Sequence, residues 1–143
     1  MNKLTFRKSL SANDVGTTGG HQGGVLIPKA EKELLEILPR LDPGTKNPDA
    51  WINCVDDAGN ELKFRFVYYN NKLHDAGGTR NEYRITHMTG WFRDVGARKG
   101  DEFEISFEIG EQIYHIGIRS KMDELFADDM VPRIRVSQWR RLH

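Results

Sequence analysis

The chain has 143 residues and a mass of 16.5 kDa, which suits one domain around one hydrophobic core. Hydrophobic residues make up 38% and charged residues 29%, which excludes a natively disordered chain. Lysine and arginine (21) balance aspartate and glutamate (21), so a uniformly basic nucleic-acid binder is also excluded. No apolar run approaches the ~20 residues that cross a bilayer, and no apolar leader opens the chain. The single cysteine, Cys54, rules out an internal disulfide or a multi-cysteine zinc site, and points to a cytoplasmic setting.

Residues 1–8 read as one strand. Residues 11–24, SANDVGTTGGHQGG, carry five glycines and almost no bulky apolar side chain, so they form a loop. Val25, Leu26 and Ile27 make a short strand stopped by Pro28, and residues 30–38 a helix ended at Pro39. Residues 51–55 and 62–69 are β-rich runs around Asp57-Ala58-Gly59-Asn60, a hairpin in which Asp56 should face Glu61. Residues 70–81 are polar and glycine-bearing and read as a second long loop. Phe103, Ile105, Phe107 and Ile109 alternate with Glu102, Glu104, Ser106 and Glu108, giving a half-buried strand with a wet acidic face. A strand over 112–119, a short helix over 121–128 and a last strand over 134–139 complete the chain. Many strands with two short helices predict a mainly β, closed or nearly closed barrel in a single domain spanning 1–143.

Charge is distributed in blocks. Residues 1–30 sum to +3, 31–62 to −5, 63–100 to +5, 101–132 to −7 and 133–143 to +4. A zero total built this way is compatible with one strongly positive face. The +3 and +5 blocks contain the two polar loops, and the C-terminal +4 block is expected on the same side.

Several motifs suggest an enzyme. Pro48-Asp49 followed by Glu61-Leu62-Lys63 spells the PD…(D/E)xK pattern of metal-dependent nucleases. The hairpin opposes that reading, because Asp49 would lie roughly 20 Å from Glu61 at ~3.3 Å per residue. Residues 16–21, GTTGGH, lack the Lys-Ser/Thr ending of a phosphate loop. Cys54 sits in a strand pattern, where a thiol is usually inert packing. His21, His74, His87, His115 and His143 form no i,i+4 pair, so no metal site is expected.

The two polar loops carry recognition chemistry. In residues 11–24, Asn13, Thr17, Thr18, His21 and Gln22 offer hydrogen bonds, and glycine-rich backbone can approach phosphate closely. In Tyr68-Tyr69-Asn70-Asn71-Lys72-Leu73-His74-Asp75-Ala76-Gly77-Gly78-Thr79-Arg80-Asn81-Glu82-Tyr83-Arg84, an extended backbone points Arg80, Glu82 and Arg84 to one side. Two arginines can fork onto guanine O6 and N7, and a carboxylate between them can accept from cytosine N4. A carboxylate within a purely nonspecific phosphate cradle would be counterproductive, so Glu82 favours base reading.

SANDVGTTGGHQGGVLIP and YYNNKLHDAGGTRNEYRIT together resemble the N-terminal effector-binding domain of EcoRII-type restriction endonucleases. The resemblance covers roughly a third of the chain. It departs from the family pattern at Leu26, where the family has an aromatic, at Tyr83, where it has lysine, and at Gly78, where it has a basic residue.

The resemblance implies a DNA-binding pseudobarrel, a fold shared with plant transcription-factor domains, whose N-arm (11–24) and C-arm (70–86) grip duplex DNA from the major groove. His21, Arg80, Glu82 and Arg84 would contact bases. Ser11, Asn13, Asp14, Thr18, Gln22, Thr79, Asn81 and Tyr83 would shape the arms or touch phosphates.

The expected partner is double-stranded DNA with a short GC-flanked site of the CCWGG kind, and no membrane. The chain itself is expected to be a monomer that binds and does not cut, with no cofactor; Mg²⁺ belongs to a separate C-terminal nuclease domain. The alternatives are a small Mg²⁺-dependent nuclease built on Asp49, Glu61 and Lys63, and a stand-alone transcriptional regulator.

Overall fold

A computed structural model describes residues 3–16, 23–120 and 139–142. Its strands are β1 (Lys3–Ser9), β2 (Val25–Ile27), β3 (Asp49–Val55), β4 (Glu61–Tyr69), β5 (Glu82–Thr86), β6 (Glu102–Glu108), β7 (Tyr114–Arg119) and β8 (Trp139–Arg141). Three short helices lie among them: α1 (Lys32–Ile37), α2 (Asn71–His74) and α3 (Thr89–Asp94). Only α1 matches an expected helix. α2 interrupts what the sequence reads as a continuous loop, and α3 has no counterpart there because its Trp91 and Phe92 fit a strand equally well. The helix expected over 121–128 and most of the strand expected over 134–139 lie outside the described residues.

The strands form one sheet in the order β2-β5-β4-β3-β7-β6-β1-β8. Each pairing is antiparallel except β3–β7, which is parallel and held by two residue pairs, Cys54–Tyr114 and Val55–His115. The sheet is open in its ladders yet curls until its ends meet. The indole N–H of Trp139 on β8 donates to the Leu26 carbonyl on β2 at 2.9 Å. The expectation of a nearly closed barrel therefore holds.

Period-two alternation fills the interior. Phe6, Ile52, Phe64, Phe66, Ile85, Phe103, Ile105 and Ile116 point inward from seven strands including β2, whose Val25 and Ile27 are fully buried. α1 adds Leu34, and α3 adds Trp91 and Phe92. An aromatic chain crosses this core from Phe64 to Trp91, Phe103 and Trp139, with ring centroids 5.9, 6.0 and 6.2 Å apart.

Two expectations need correction. The hairpin pairs Val55 with Glu61, Cys54 with Leu62 and Asn53 with Lys63, one residue away from the expected register. Asp56 does not face Glu61, because its carboxylate caps the loop: Oδ1 accepts from the backbone N–H groups of Ala58 and Asn60 at 3.0 and 2.8 Å. Oδ2 accepts from the buried Trp91 indole at 3.0 Å. The outer face of β6 is also not simply wet. Glu102 is buried and Glu104 half-buried, because Arg7, Arg119 and Arg140 lie across them. Ile109 falls past the end of β6 into the following turn and is 62% exposed.

Burial alone would raise the Asp56 carboxyl, but hydrogen bonds from Trp91, Asn60 and Ala58 outweigh it and hold the group below its ordinary 3.8. A depressed folded value stabilises the native state above pH 3.8, and the contribution fades as pH falls through the folded value. Asp56→Asn is therefore expected to lower the urea midpoint most above pH 5 and progressively less below pH 4, in paired titrations of the two proteins.

Gly24 marks the closest approach of two strands. A Cβ there would collide with the Ile85 carbonyl oxygen and lie 3.0 Å from the Thr86 Cα, both backbone atoms that cannot yield. Gly24→Ala is expected to cost about 2–4 kcal/mol in chemical denaturation, as a backbone clash does. Gly77→Ala, where a Cβ meets nothing within 4 Å, should be near neutral.

Candidate nucleic-acid interface

β5 lies between β2 and β4, and its two faces are chemically opposite. Inward, Ile85 is fully buried and Tyr83 stacks on Tyr68 and Phe66, with ring centroids at 4.3 and 5.8 Å. Outward go Glu82 and Arg84, with Arg80 just before the strand. Glu82 Oε2 accepts from Arg84 Nε, and Arg80 Nη2 lies 3.5 Å from the same oxygen. The Arg80 guanidinium sits over the Tyr69 ring, 3.8 Å from its centroid.

These internal contacts fix the row without consuming it. Both arginines meet one oxygen of Glu82, so Oε1 has no partner among the described residues, and Arg84 keeps both terminal nitrogens. The row thus offers an arginine fork, a carboxylate acceptor and a second arginine in succession. Burial would raise the Glu82 carboxyl, but the bond from Arg84, reinforced by Arg80, holds it below its ordinary 4.5. Glu82 is accordingly an acceptor at neutral pH.

The segment 70–86 is anchored at a buried residue. Asn70 is fully buried, and its Nδ2 donates to the carbonyls of Pro43 and Thr45 at 3.2 and 2.9 Å. Its Oδ1 accepts from the Asn47 N–H at 2.7 Å, and its own N–H donates to Asn47 Oδ1 at 3.1 Å. Next along the chain, Asn71 Oδ1 accepts from the Arg80 N–H at 2.7 Å while the Lys72 N–H donates to the Arg80 carbonyl at 3.0 Å. α2 thereby closes the arm onto itself directly before the Arg80–Glu82–Arg84 row. At Gly78 a Cβ would strike the Asn71 carbonyl, so no basic side chain fits where the resemblance would have one. Thr79 is exposed, and Asn81 Oδ1 accepts from the Tyr68 hydroxyl.

The foot of the loop 11–24 is equally specific. Asp14 is buried, bonded by Lys8 Nζ and by the Ser11 N–H at 3.0 Å, and its own N–H donates to Ser11 Oγ at 3.1 Å. Ser11 and Asp14 therefore shape the loop, while Asn13 is exposed. At the far foot the Gly23 N–H donates to Thr89 Oγ1, and the Met88 N–H to the Gly23 carbonyl at 2.9 Å. Thr18, His21 and Gln22 lie outside the described residues.

The nuclease-like pattern does not converge. Asp49 pairs across to Val67, six ladder positions from the Val55–Glu61 pair, and its carboxylate takes the Arg65 Nε at 2.6 Å. Among the described residues no cluster of three or more His, Cys, Asp or Glu is arranged to hold a metal ion. No helix among them is long and apolar enough to cross a membrane.

A family model for the N-terminal part of restriction endonuclease EcoRII matches residues 1–98. The chain belongs to that family. The type II restriction enzyme EcoRII of Escherichia coli is 36% identical over 88 residues, 59% of this chain and 21% of the enzyme. This EcoRII N-terminal-type domain therefore spans about a fifth of that relative. Two solved structures share its fold. One is an Arabidopsis FUS3–DNA complex, with TM-score 0.61 and 20% identity, covering 82% of this chain and 97% of that one. The other is the B3 domain of the UbaLAI restriction endonuclease with cognate DNA, with TM-score 0.62 and 19% identity, covering 97% and 86% respectively. The pseudobarrel expectation is thus met by a B3-type fold.

Sequence reasoning missed Tyr69, the platform beneath Arg80, and the Asn70–Asn47 clamp. Alternation along β4 places Tyr69 on the face of Arg65, so that residue was recoverable. The clamp had no local signal, because its partners are 23 positions apart. Asn70→Ala strands the Asn47 N–H and two loop carbonyls, and is expected to cost about 1–3 kcal/mol in urea unfolding.

Proposed function

We propose that this EcoRII N-terminal-type domain is a sequence-specific double-stranded DNA-binding module, the effector or target-recognition part of a type II restriction endonuclease. The observation that carries the reading is the outward row Arg80–Glu82–Arg84, braced internally yet with terminal arginine nitrogens and one carboxylate oxygen free. This donor–acceptor–donor order complements the acceptor–donor–acceptor order that a guanine–cytosine–guanine run displays in the major groove. The FUS3 and UbaLAI B3 structures, both solved with DNA, support the same partner by likeness of fold.

In this reading residues 11–24 and 70–86 are two arms entering the major groove, with His21 joining the row as a base contact. Thr18, Gln22, Thr79 and Asn81 carry the arms' phosphate and shaping contacts. The site is short and GC-flanked, of the CCWGG kind. The domain, 1–143, acts in the cytoplasm as a monomer without a cofactor and binds without cutting. Cleavage and its Mg²⁺ belong to a separate nuclease domain. Ion pairing across β6 leaves little surplus positive charge, so discrimination comes from base edges more than from bulk attraction.

Selection of bound duplexes from a random pool tests this. The wild-type protein is expected to enrich one motif, and Arg84→Ala to lose about 1–3 kcal/mol and relax a single base pair of it. Glu82→Gln should raise affinity for unrelated duplexes while narrowing the gap to the selected one, because it removes a negative charge from between two arginines. A pool without enrichment, or an unchanged motif in Arg84→Ala, rejects specific readout by this row.

A further inference from the structure

The outer face of β3, β4 and β5 continues beyond the row, and one feature there has no role in the fold. Trp51 on β3 stands opposite Arg65 on β4, which stands opposite Thr86 on β5. It is 53% exposed on a polar face, and its indole N–H has no hydrogen-bond partner among the described residues. The other two tryptophans contrast with it: Trp91 and Trp139 are buried, and both donate hydrogen bonds, to Asp56 and Leu26.

Edge-on to Trp51, at 5.1 Å between centroids, is the ring of His87. His87 is exposed and holds a φ of +69°, a conformation uncommon for residues other than glycine. Such an outlier points to a functional constraint when no packing demands it. Its Nδ1 is engaged with Thr86 Oγ1 at 2.9 Å, so Nε2 is the ring atom left to meet a ligand. The carboxylates nearest in the ladder are already committed, Asp49 to Arg65 and Glu82 to Arg84.

We propose that Trp51 and His87 together hold a backbone phosphate of the bound DNA, outside the base-reading row. The inference rests on the DNA-binding reading. Spacing then supplies the ligand. From Arg80 to Arg84 an extended chain covers roughly 13 Å at ~3.3 Å per residue, and the major groove is about 12 Å wide. A row that crosses the groove floor brings the next residues, Thr86 and His87, to the groove wall, which is phosphodiester. The Trp51 N–H, and the His87 Nε2–H in the tautomer whose Nδ1 accepts from Thr86 Oγ1, lie beside carboxylates already paired with arginine, suit an anionic oxygen and carry no base code. The pair is therefore a positioning contact that sets how deep and in what register the row sits.

The test uses the duplex that the wild-type protein selects. Trp51→Phe keeps the ring and deletes the N–H donor; His87→Asn removes the imidazole with a residue that tolerates positive φ. Each is expected to weaken binding roughly five- to tenfold, by the same factor for the selected and an unrelated duplex, with consensus and unfolding temperature unchanged. A single methylphosphonate moved along each strand should expose one position that weakens the wild type and has no effect on the double variant. Unchanged affinity in both variants, identical methylphosphonate profiles, or a shifted consensus would overturn the phosphate contact and leave the Arg80–Glu82–Arg84 readout standing. A wild-type protein that selects no duplex removes the DNA-binding reading, and this inference falls with it.

Discussion

The direction in which β5 faces governs everything outside the barrel. Tyr83 and Ile85 are committed to the interior, one stacked on Tyr68 and Phe66 and the other fully buried beside Gly24. A slip of one residue would turn Glu82 and Arg84 into an aromatic core, at a cost comparable to a domain's net stability. The interior thus sets the orientation of the surface row. It also explains why tyrosine suits position 83, where the resemblance would have lysine: the side chain belongs to the packing, and the departure removes no outward contact.

Electrostatics divides the molecule in two. Along β1, β6, β7 and β8, charges are paired: Arg7 and Arg119 meet Glu104 and Arg140 meets Glu102 within the sheet, while Arg141 meets Glu33 on α1. Glu102 and Glu104 of the acidic 101–132 block are thus neutralised by Arg7 and Arg140 of the N- and C-terminal basic blocks, with Arg119 of their own block. Lys8 is buried against Asp14 and contributes nothing outward. The C-terminal basic block, so far as it is described, is an ion-pair partner and not a free positive surface. On the β3–β5 face the pairing is incomplete by design of geometry: one carboxylate oxygen serves two arginines.

The barrel was legible in sequence wherever alternation was strict. Phe103 and Ile105 marked β6, Phe64 and Phe66 marked β4, and the hairpin joining β3 to β4 was found with its register off by one. The error has a physical origin, since Asp56 caps the loop through the Ala58 and Asn60 N–H groups and also accepts from the Trp91 indole thirty-five positions away, which draws it out of the ladder. Alternation also gave the outward set Arg80, Glu82 and Arg84. It gave no sign of the Asn70 clamp or of α2, because Asn71, Lys72, Leu73 and His74 look like any loop until Asn71 bonds the Arg80 backbone. Trp51 read as an ordinary strand residue, because exposure is a property of neighbours that the sequence does not name.

The single parallel seam has a mechanical consequence. Among the described residues, with two residue pairs joining β3 to β7 and the Trp139 indole bond joining β8 to β2, the ladders build two four-stranded shells. Residues 11–24 run from one shell to the other, whereas residues 70–86 belong to one shell alone. Among the described residues, the sheet's own hydrogen bonds therefore do little to stiffen one shell against the other. Stiffness comes from the line of rings Phe64, Trp91, Phe103 and Trp139, which rivets shell to shell through the middle. Core aromatics in this fold do more than fill volume: they tie the two shells to one another.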